Sequence, residues 1–327
     1  VGGGEGEEGE DELTRLVGRS PTYDHKPLAP EGVAHAAAFQ PRPTDVFILT
    51  PPKTGTTWAQ MLCHCLRTRG QPGDFEDIYQ VAPWDQMAWY LGQDLASEQV
   101  AQPRLFKTHQ RLSSINRGAR YLCLVRGVED VLRSWWNFVR SKDIEPLRKY
   151  SSASEFAFDE DFFARGMRFG ASVWEYYREF FQALRLPNVL VLCYEDLVED
   201  LAGHLPVLAG FLGLPAAELA EPAAAARILE QCSRAGMASM ASRFDESWTY
   251  KELQRVGRMQ DASTFAPAPR VNAERGPEEK EALSEAAQGL LRERWQEELG
   301  GRCGLADYAA LRAAVGAELR ERRRRLE

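Results

Sequence analysis

The sequence predicts an α/β fold in a single domain, with a parallel β-sheet flanked by helices on both faces. Three observations carry that prediction. Short, continuously apolar runs recur, as strands buried on both faces require. Each run is followed by a stretch whose apolar residues return at helical spacing, the alternation that produces a parallel sheet. No internal repeat or linker divides the middle of the chain.

Taken in order, residues 1–22 are expected to form a disordered acidic and Gly-rich tail, because the opening residues bury too little apolar surface to offset the entropy of ordering. The domain is placed at 23–320. Val46-Phe47-Ile48-Leu49 is the first buried strand, and Pro51-Pro52 stops it. Beyond Gly55, Trp58, Met61, Leu62, Cys65 and Leu66 recur at helical spacing, with Gly70 as a C-terminal stop. Tyr121 to Val125 is a second strand; after Arg126 and Gly127 comes a helix carrying Val131, Leu132, Trp135 and Phe138. Asn188 to Cys193 is a third, ending at Tyr194-Glu195-Asp196 before a helical segment over 197–212 that Pro206 breaks or kinks. Leu283 to Leu299 and Leu305 to Leu319 read as helical, and 321–327, with Arg322 to Arg325, as a solvated basic end.

Composition narrows the function. Of 327 residues, 44% are apolar and 27% charged, enough for a sizeable core. A net charge of −8 argues against a nucleic-acid or membrane binder, since phosphate-rich partners need a positive field. The six cysteines (Cys63, Cys65, Cys123, Cys193, Cys232, Cys303) show no CxxC spacing, and four lie in apolar runs, which fits buried reduced thiols in a cytoplasmic protein. No apolar run is long enough to span a bilayer. There is no charged-then-apolar leader; with Val1 rather than Met at the start, an upstream targeting segment stays an open alternative.

The richest segment is Thr50-Pro51-Pro52-Lys53-Thr54-Gly55-Thr56-Thr57-Trp58, where a buried strand delivers a Gly-containing loop to the first turn of a helix. Unpaired backbone N–H groups and the helix dipole make such a junction an anion site, giving the fold a P-loop-like character. Thr56 and Thr57 add hydroxyls and Lys53 a charge. A Walker A loop sets its Lys directly after the last Gly, whereas here Lys53 precedes Gly55. A nucleotide kinase, which also needs Mg²⁺ ligands, is thereby disfavoured, and no metal site is expected.

Pro-Lys-Thr-Gly-Thr-Thr-Trp resembles the 5′-phosphosulfate loop of the sulfotransferases that use 3′-phosphoadenosine-5′-phosphosulfate (PAPS). Arg104-Leu105-Phe106-Lys107-Thr108-His109 resembles that family's Lys-Thr-His segment. Tyr121 through Arg126, with Asp130, Ser134 and Phe138, is similar to its 3′-phosphate site, and Asn188 to Asp196 to its strand ending in Tyr-Glu-Asp. The likeness runs from about residue 44 to 315. It implies PAPS as co-substrate, with Lys53, Thr54, Gly55, Thr56, Thr57, Trp58, Arg126, Ser134, Tyr194 and Arg270 at the nucleotide and His109, Lys53 and Lys107 in catalysis. The implied reaction moves a sulfuryl group to a hydroxyl or amine by in-line displacement.

Physical chemistry supports those roles. Arg126 and Ser134 offer a cation and a hydroxyl to the 3′-phosphate that ATP lacks. His109, at a strand end, has a reference pKa of about 6.5, suited to deprotonating an acceptor near neutral pH. Lys53 neutralises the bridging oxygen of the departing 3′-phosphoadenosine-5′-phosphate (PAP). Trp58 either stacks on adenine in the family manner or packs as a core tryptophan.

The likeness has departures. Gly127 stands where the family has Asn, and Gln110-Arg111 replaces a Pro-containing continuation. The C-terminal phosphate segment survives only as Arg270-Val271-Asn272-Ala273-Glu274-Arg275-Gly276, so Arg275 is an alternative to Arg270. In Cys232-Ser233-Arg234, Arg234 either stacks on adenine or forms a surface ion pair. The family's dimer signature is not recognisable, leaving the oligomeric state open. Aromatic residues in 81–90 and 135–138 suit an apolar pocket for a hydrophobic alcohol, phenol or amine, and equally suit core packing. A catalytically inactive nucleotide-binding protein is the remaining alternative, and retention of Lys53 and His109 counts against it.

Overall fold

The computed structural model describes residues 11–20, 30–142, 149–159, 171–215, 221–260, 262–268 and 282–326. Among the described residues four parallel strands form one sheet in the order β2-β1-β3-β4. They are β1 (Val46–Leu49), β2 (Leu105–Thr108), β3 (Arg120–Val125) and β4 (Val189–Cys193). Every strand residue except Arg120 is buried, so both faces are covered, as continuous apolar runs demand. The first of these strands lies in the middle. The chain passes from it to β2 on one side and then across to β3 on the other. That reversal of strand order opens a crevice at the carboxyl ends, where α/β folds of this kind hold their ligands.

In chain order the α-helices of four or more residues among the described residues are α1 (Glu12–Val17), α2 (Pro30–Ala38), α3 (Thr56–Arg67), α4 (Ile78–Val81), α5 (Val128–Ser141), α6 (Ala153–Phe156), α7 (Val173–Gln182), α8 (Tyr194–Glu199) and α9 (Leu201–Leu212). They continue with α10 (Pro222–Cys232), α11 (Arg234–Ser239), α12 (Ser247–Val256), α13 (Glu285–Trp295) and α14 (Tyr308–Leu326). The helix after the first strand packs on β1 and β2 and against α9 and α10, while α14 lies on β4 and α9. A capping box starts α7, with the Ser172 hydroxyl accepting from the Glu175 N–H at 3.3 Å and the Glu175 carboxylate from the Ser172 N–H at 2.8 Å. Its apolar face then buries Trp174, Tyr176, Tyr177 and Phe180.

A buried ion pair ties the amino ends of two strands together. Arg104 donates to both carboxylate oxygens of Asp45, at 2.9 and 2.7 Å, with the two side chains 1% and 0% exposed. The remaining guanidinium nitrogen, Nη1, donates to the carbonyls of Leu95, Ala96 and Ser97, so the charge is fully solvated by protein.

Three expectations are corrected. The 1–22 tail does not extend over the described residues 11–20: Asp11 caps α1 through the Thr14 N–H at 2.9 Å, and Leu13 is buried. The 197–212 segment breaks at Asp200, not at Pro206, which sits inside α9. Asp200 leaves helical geometry and accepts from the Gly203 N–H at 2.8 Å, starting a new helix. The basic end continues α14, with Arg324 and Arg325 exposed but Arg322 seated against the protein. There Arg322 pairs with Glu318 at 2.9 Å and caps the Leu184 and Leu186 carbonyls at 3.1 and 2.8 Å.

Among the described residues no helix is long and apolar enough to cross a membrane. Five cysteines are buried and Cys303 is half-buried, all as free thiols.

Candidate active site

The loop after β1 turns through two left-handed residues, Lys53 at φ 70° and Gly55 at φ 104°. At the second a Cβ atom would lie 2.8 Å from the Tyr194 ring, so both the backbone angle and the space require glycine. Three of the four threonines in this segment brace the turn. The Thr54 hydroxyl donates to the Pro51 carbonyl at 2.8 Å, and those of Thr50 and Thr56 meet at 2.6 Å. The hydroxyls of Thr54 and Thr56 are thus engaged within the loop, while half-buried Thr57 stands outside these bonds. Trp58 is half-buried; its indole N–H donates to the Cys232 carbonyl at 2.7 Å, and its ring meets Tyr194 edge-on at 5.4 Å. It pins α3 to the end of α10 while standing beside the loop.

His109 follows β2 and is 5% exposed. Its Nδ1 lies 2.8 Å from the Thr50 carbonyl oxygen. A carbonyl only accepts, so Nδ1–H is the donor in this bond, which orients the ring. Trp84 packs edge-on against the imidazole at 5.2 Å, and the Tyr176 hydroxyl bonds the His109 carbonyl. Two residues earlier, the buried Lys107 ammonium donates to the Tyr79 hydroxyl at 2.7 Å and lies 3.7 Å from the centre of the Trp84 ring. Trp84 thus touches both Lys107 and His109.

Asp85, beside it, turns the other way and accepts from the Gln110 side chain at 2.9 Å and the Gln86 N–H at 2.7 Å. Burial pushes its carboxyl up to about 6, against the opposing pull of Gln110, Thr108, the Gln86 N–H and Lys107.

Arg126 ends β3. Its Nη1 donates to the Lys53 carbonyl at 3.1 Å, and its guanidinium lies 4.5 Å from the centre of the Tyr194 ring. The Lys53 ammonium sits 4.3 Å from the centre of the Phe138 ring on α5, the helix that also carries half-buried Ser134. Lys53, Lys107, His109, Arg126, Trp58 and Tyr194 are therefore brought together at the carboxyl ends of four adjacent strands. Arg270, like Arg275, lies outside the described residues. Arg234 is exposed at the start of α11. A separate open depression of about 440 Å³, lined by Pro72, Glu230, Met240 and Arg243 among others, contains none of these residues.

Sequence reasoning missed the tyrosines that hold the site from behind, Tyr79, Tyr176 and Tyr177. The capping box before α7 was the one local signal that could have placed the last two.

The fold and site define an α/β protein with a phosphate-loop-like junction at the carboxyl end of its central strand. Residues 43–262 match the family model described as the sulfotransferase domain. The chain is 27% identical over 250 residues to cytosolic sulfotransferase 1 of Arabidopsis thaliana, covering 68% of this chain and 74% of the relative. It is 28% identical over 257 residues to cytosolic sulfotransferase 14 of the same plant, covering 69% and 72%. In fold it is similar to a retinol dehydratase solved with androsterone and inactive cofactor PAP (TM-score 0.55, 21% identity, covering 88% of this chain and 94% of the other). It is likewise similar to a mouse sulfotransferase complexed with PAP (TM-score 0.55, 15% identity, covering 89% and 95%). The chain belongs to the PAPS-dependent sulfotransferase family, as its ordered motifs led one to expect.

Proposed function

We propose that this chain moves the sulfuryl group of PAPS to a hydroxyl or amine of a small acceptor, with His109 as general base. The acceptor's proton passes to Nε2 as its oxygen or nitrogen bonds to sulfur. The bond from sulfur to the bridging phosphate oxygen breaks in line, and PAP departs carrying that electron pair. Lys53 and Lys107 stabilise the charge that develops on the leaving phosphate and the transferring group. Arg126 and Ser134 bind the 3′-phosphate, and the backbone of residues 54–57 the 5′-phosphate.

The observation that carries this reading is the placement of His109, whose Nδ1–H donates to the Thr50 carbonyl at 2.8 Å and so orients the imidazole at the carboxyl end of the sheet, beside the Lys53 loop. Trp84, packed on both the imidazole and the Lys107 ammonium, supports an apolar, aromatic-walled acceptor pocket suited to a hydrophobic alcohol, phenol or amine. The buried free thiols and the names of the plant relatives support a cytoplasmic location.

The test is a panel of phenols, alcohols and amines with labelled PAPS in the presence of EDTA. Label should pass to at least one acceptor with PAP as co-product. PAPS binding with no transfer to any acceptor would instead define an inactive nucleotide-binding protein, and in a parallel assay with ATP and Mg²⁺, phosphoryl transfer that EDTA abolishes would define a kinase.

A further inference from the structure

Behind Arg126 stands a chain of hydrogen bonds that begins in the C-terminal helix. The backbone of residues 126 and 127 is held at three points. The Tyr177 hydroxyl accepts from the Arg126 N–H at 2.8 Å and donates to the Arg126 carbonyl at 2.6 Å. The Gly127 N–H donates to Oε1 of Glu195 at 2.9 Å. The other oxygen of that carboxylate accepts from the Tyr308 hydroxyl at 2.5 Å. One turn further along α14, Arg312 ties Asp196 and Glu199 at 2.5 and 2.6 Å, so the helix bearing Glu195 is itself anchored. Tyr177 and Tyr308 both pack edge-on against Trp295, at 6.5 and 6.3 Å.

We infer that Glu195 and Tyr308 are positioning residues for recognition of the 3′-phosphate, fixing the backbone from which Arg126 reaches it. The inference rests on the proposed role of Arg126. That side chain has a buried Nε with no hydrogen-bond partner among the described residues, and its other contacts, to the Lys53 carbonyl and the Tyr194 ring, direct the guanidinium toward the loop. A long flexible arginine loses rotamer entropy when it clamps an anion, and a fixed backbone origin reduces that loss at the moment of binding. Burial raises the Tyr308 hydroxyl far above the ordinary tyrosine range, keeping it a donor to Glu195 across the working pH.

The test compares the affinities of PAP and adenosine 5′-phosphate, which differ only in the 3′-phosphate, by calorimetry on the full chain. Glu195→Ala should weaken PAP about tenfold and Tyr308→Phe several-fold, with adenosine 5′-phosphate changed by less than about twofold in each. Glu195→Gln, whose amide oxygen still accepts from Gly127, should keep most of the preference. Tyr308→Phe retains the ring against Trp295, so its fold is preserved, and a thermal melt checks this for all three.

Equal losses for both nucleotides, or no loss for either, would show that the two residues serve only the fold and would overturn the inference. Arg126→Ala is the reference. It should abolish the preference for PAP; if the preference survives in that variant, the reading of Arg126 fails, and the role of Glu195 and Tyr308 with it.

Discussion

An imidazole whose Nδ1–H donates to the Thr50 carbonyl is held in one orientation, which is what the proposed role of His109 as general base needs. His109→Ala should therefore lower turnover by about 10²–10⁴-fold, the usual contribution of a general base. PAP affinity, measured by calorimetry, should stay within about threefold, because a base does its work in the transition state rather than in the bound nucleotide. The residues proposed to face the reaction come from ordered strings next to strand ends, Lys53, His109 and Arg126, and the fold gathers them at one end of the sheet. Those that hold them were not legible in the sequence. Tyr79 and Tyr177 lie inside apolar stretches, where a hydroxyl gives no local sign of what it will bond. Their partners, Lys107 and the Arg126 backbone, are 28 and 51 residues away.

At the scale of the element, α3 does more than present the loop. His64 on its inner face accepts from Arg67 at Nδ1, at 3.2 and 3.1 Å, and donates from Nε2 to the Pro72 carbonyl at 2.8 Å. Only a neutral imidazole satisfies both partners. Burial first, and the Arg67 charge second, push its pKa down to about 4. As pH falls from about 6.5 to 4, the unfolded chain takes up a proton that the folded one refuses, so stability falls with pH over that window. Asp85, pushed up to about 6, acts in the opposite sense and masks part of the loss. The comparison that isolates His64 is with His64→Gln: between pH 7 and pH 4 the wild type should lose about 3 kcal/mol relative to the variant in urea unfolding. Helix positions were read well wherever an apolar stripe follows a strand. The break at Asp200 was misplaced because a proline is the louder signal, yet an aspartate that caps Gly203 is the actual start of α9.

Across the whole molecule, the apolar sheet is flanked by a few buried polar clusters, of which the Arg104–Asp45 pair is one. Arg104→Met leaves Asp45 without its main partner, so it should cost about 3–5 kcal/mol in chemical unfolding, far more than loss of an exposed ion pair. The parallel sheet was foreseeable from its apolar runs. Its strand order was not: β2 is only four residues long and contains Lys107, and nothing local says that the chain will cross back over β1.

The clusters at the two ends of β1 have a consequence for how the strands find each other. Val46 pairs with Leu105 and Leu49 with Thr108, and because β1 is apolar on both faces, sliding it by one step would bury nearly as much hydrocarbon. Asp45 and Arg104 form the next rung on one side, Thr50 and His109 the next on the other, and only one alignment satisfies both. The imidazole proposed to take the acceptor's proton thus also works as a locating peg, and a chain that paired out of step would lose its alignment and its chemistry together.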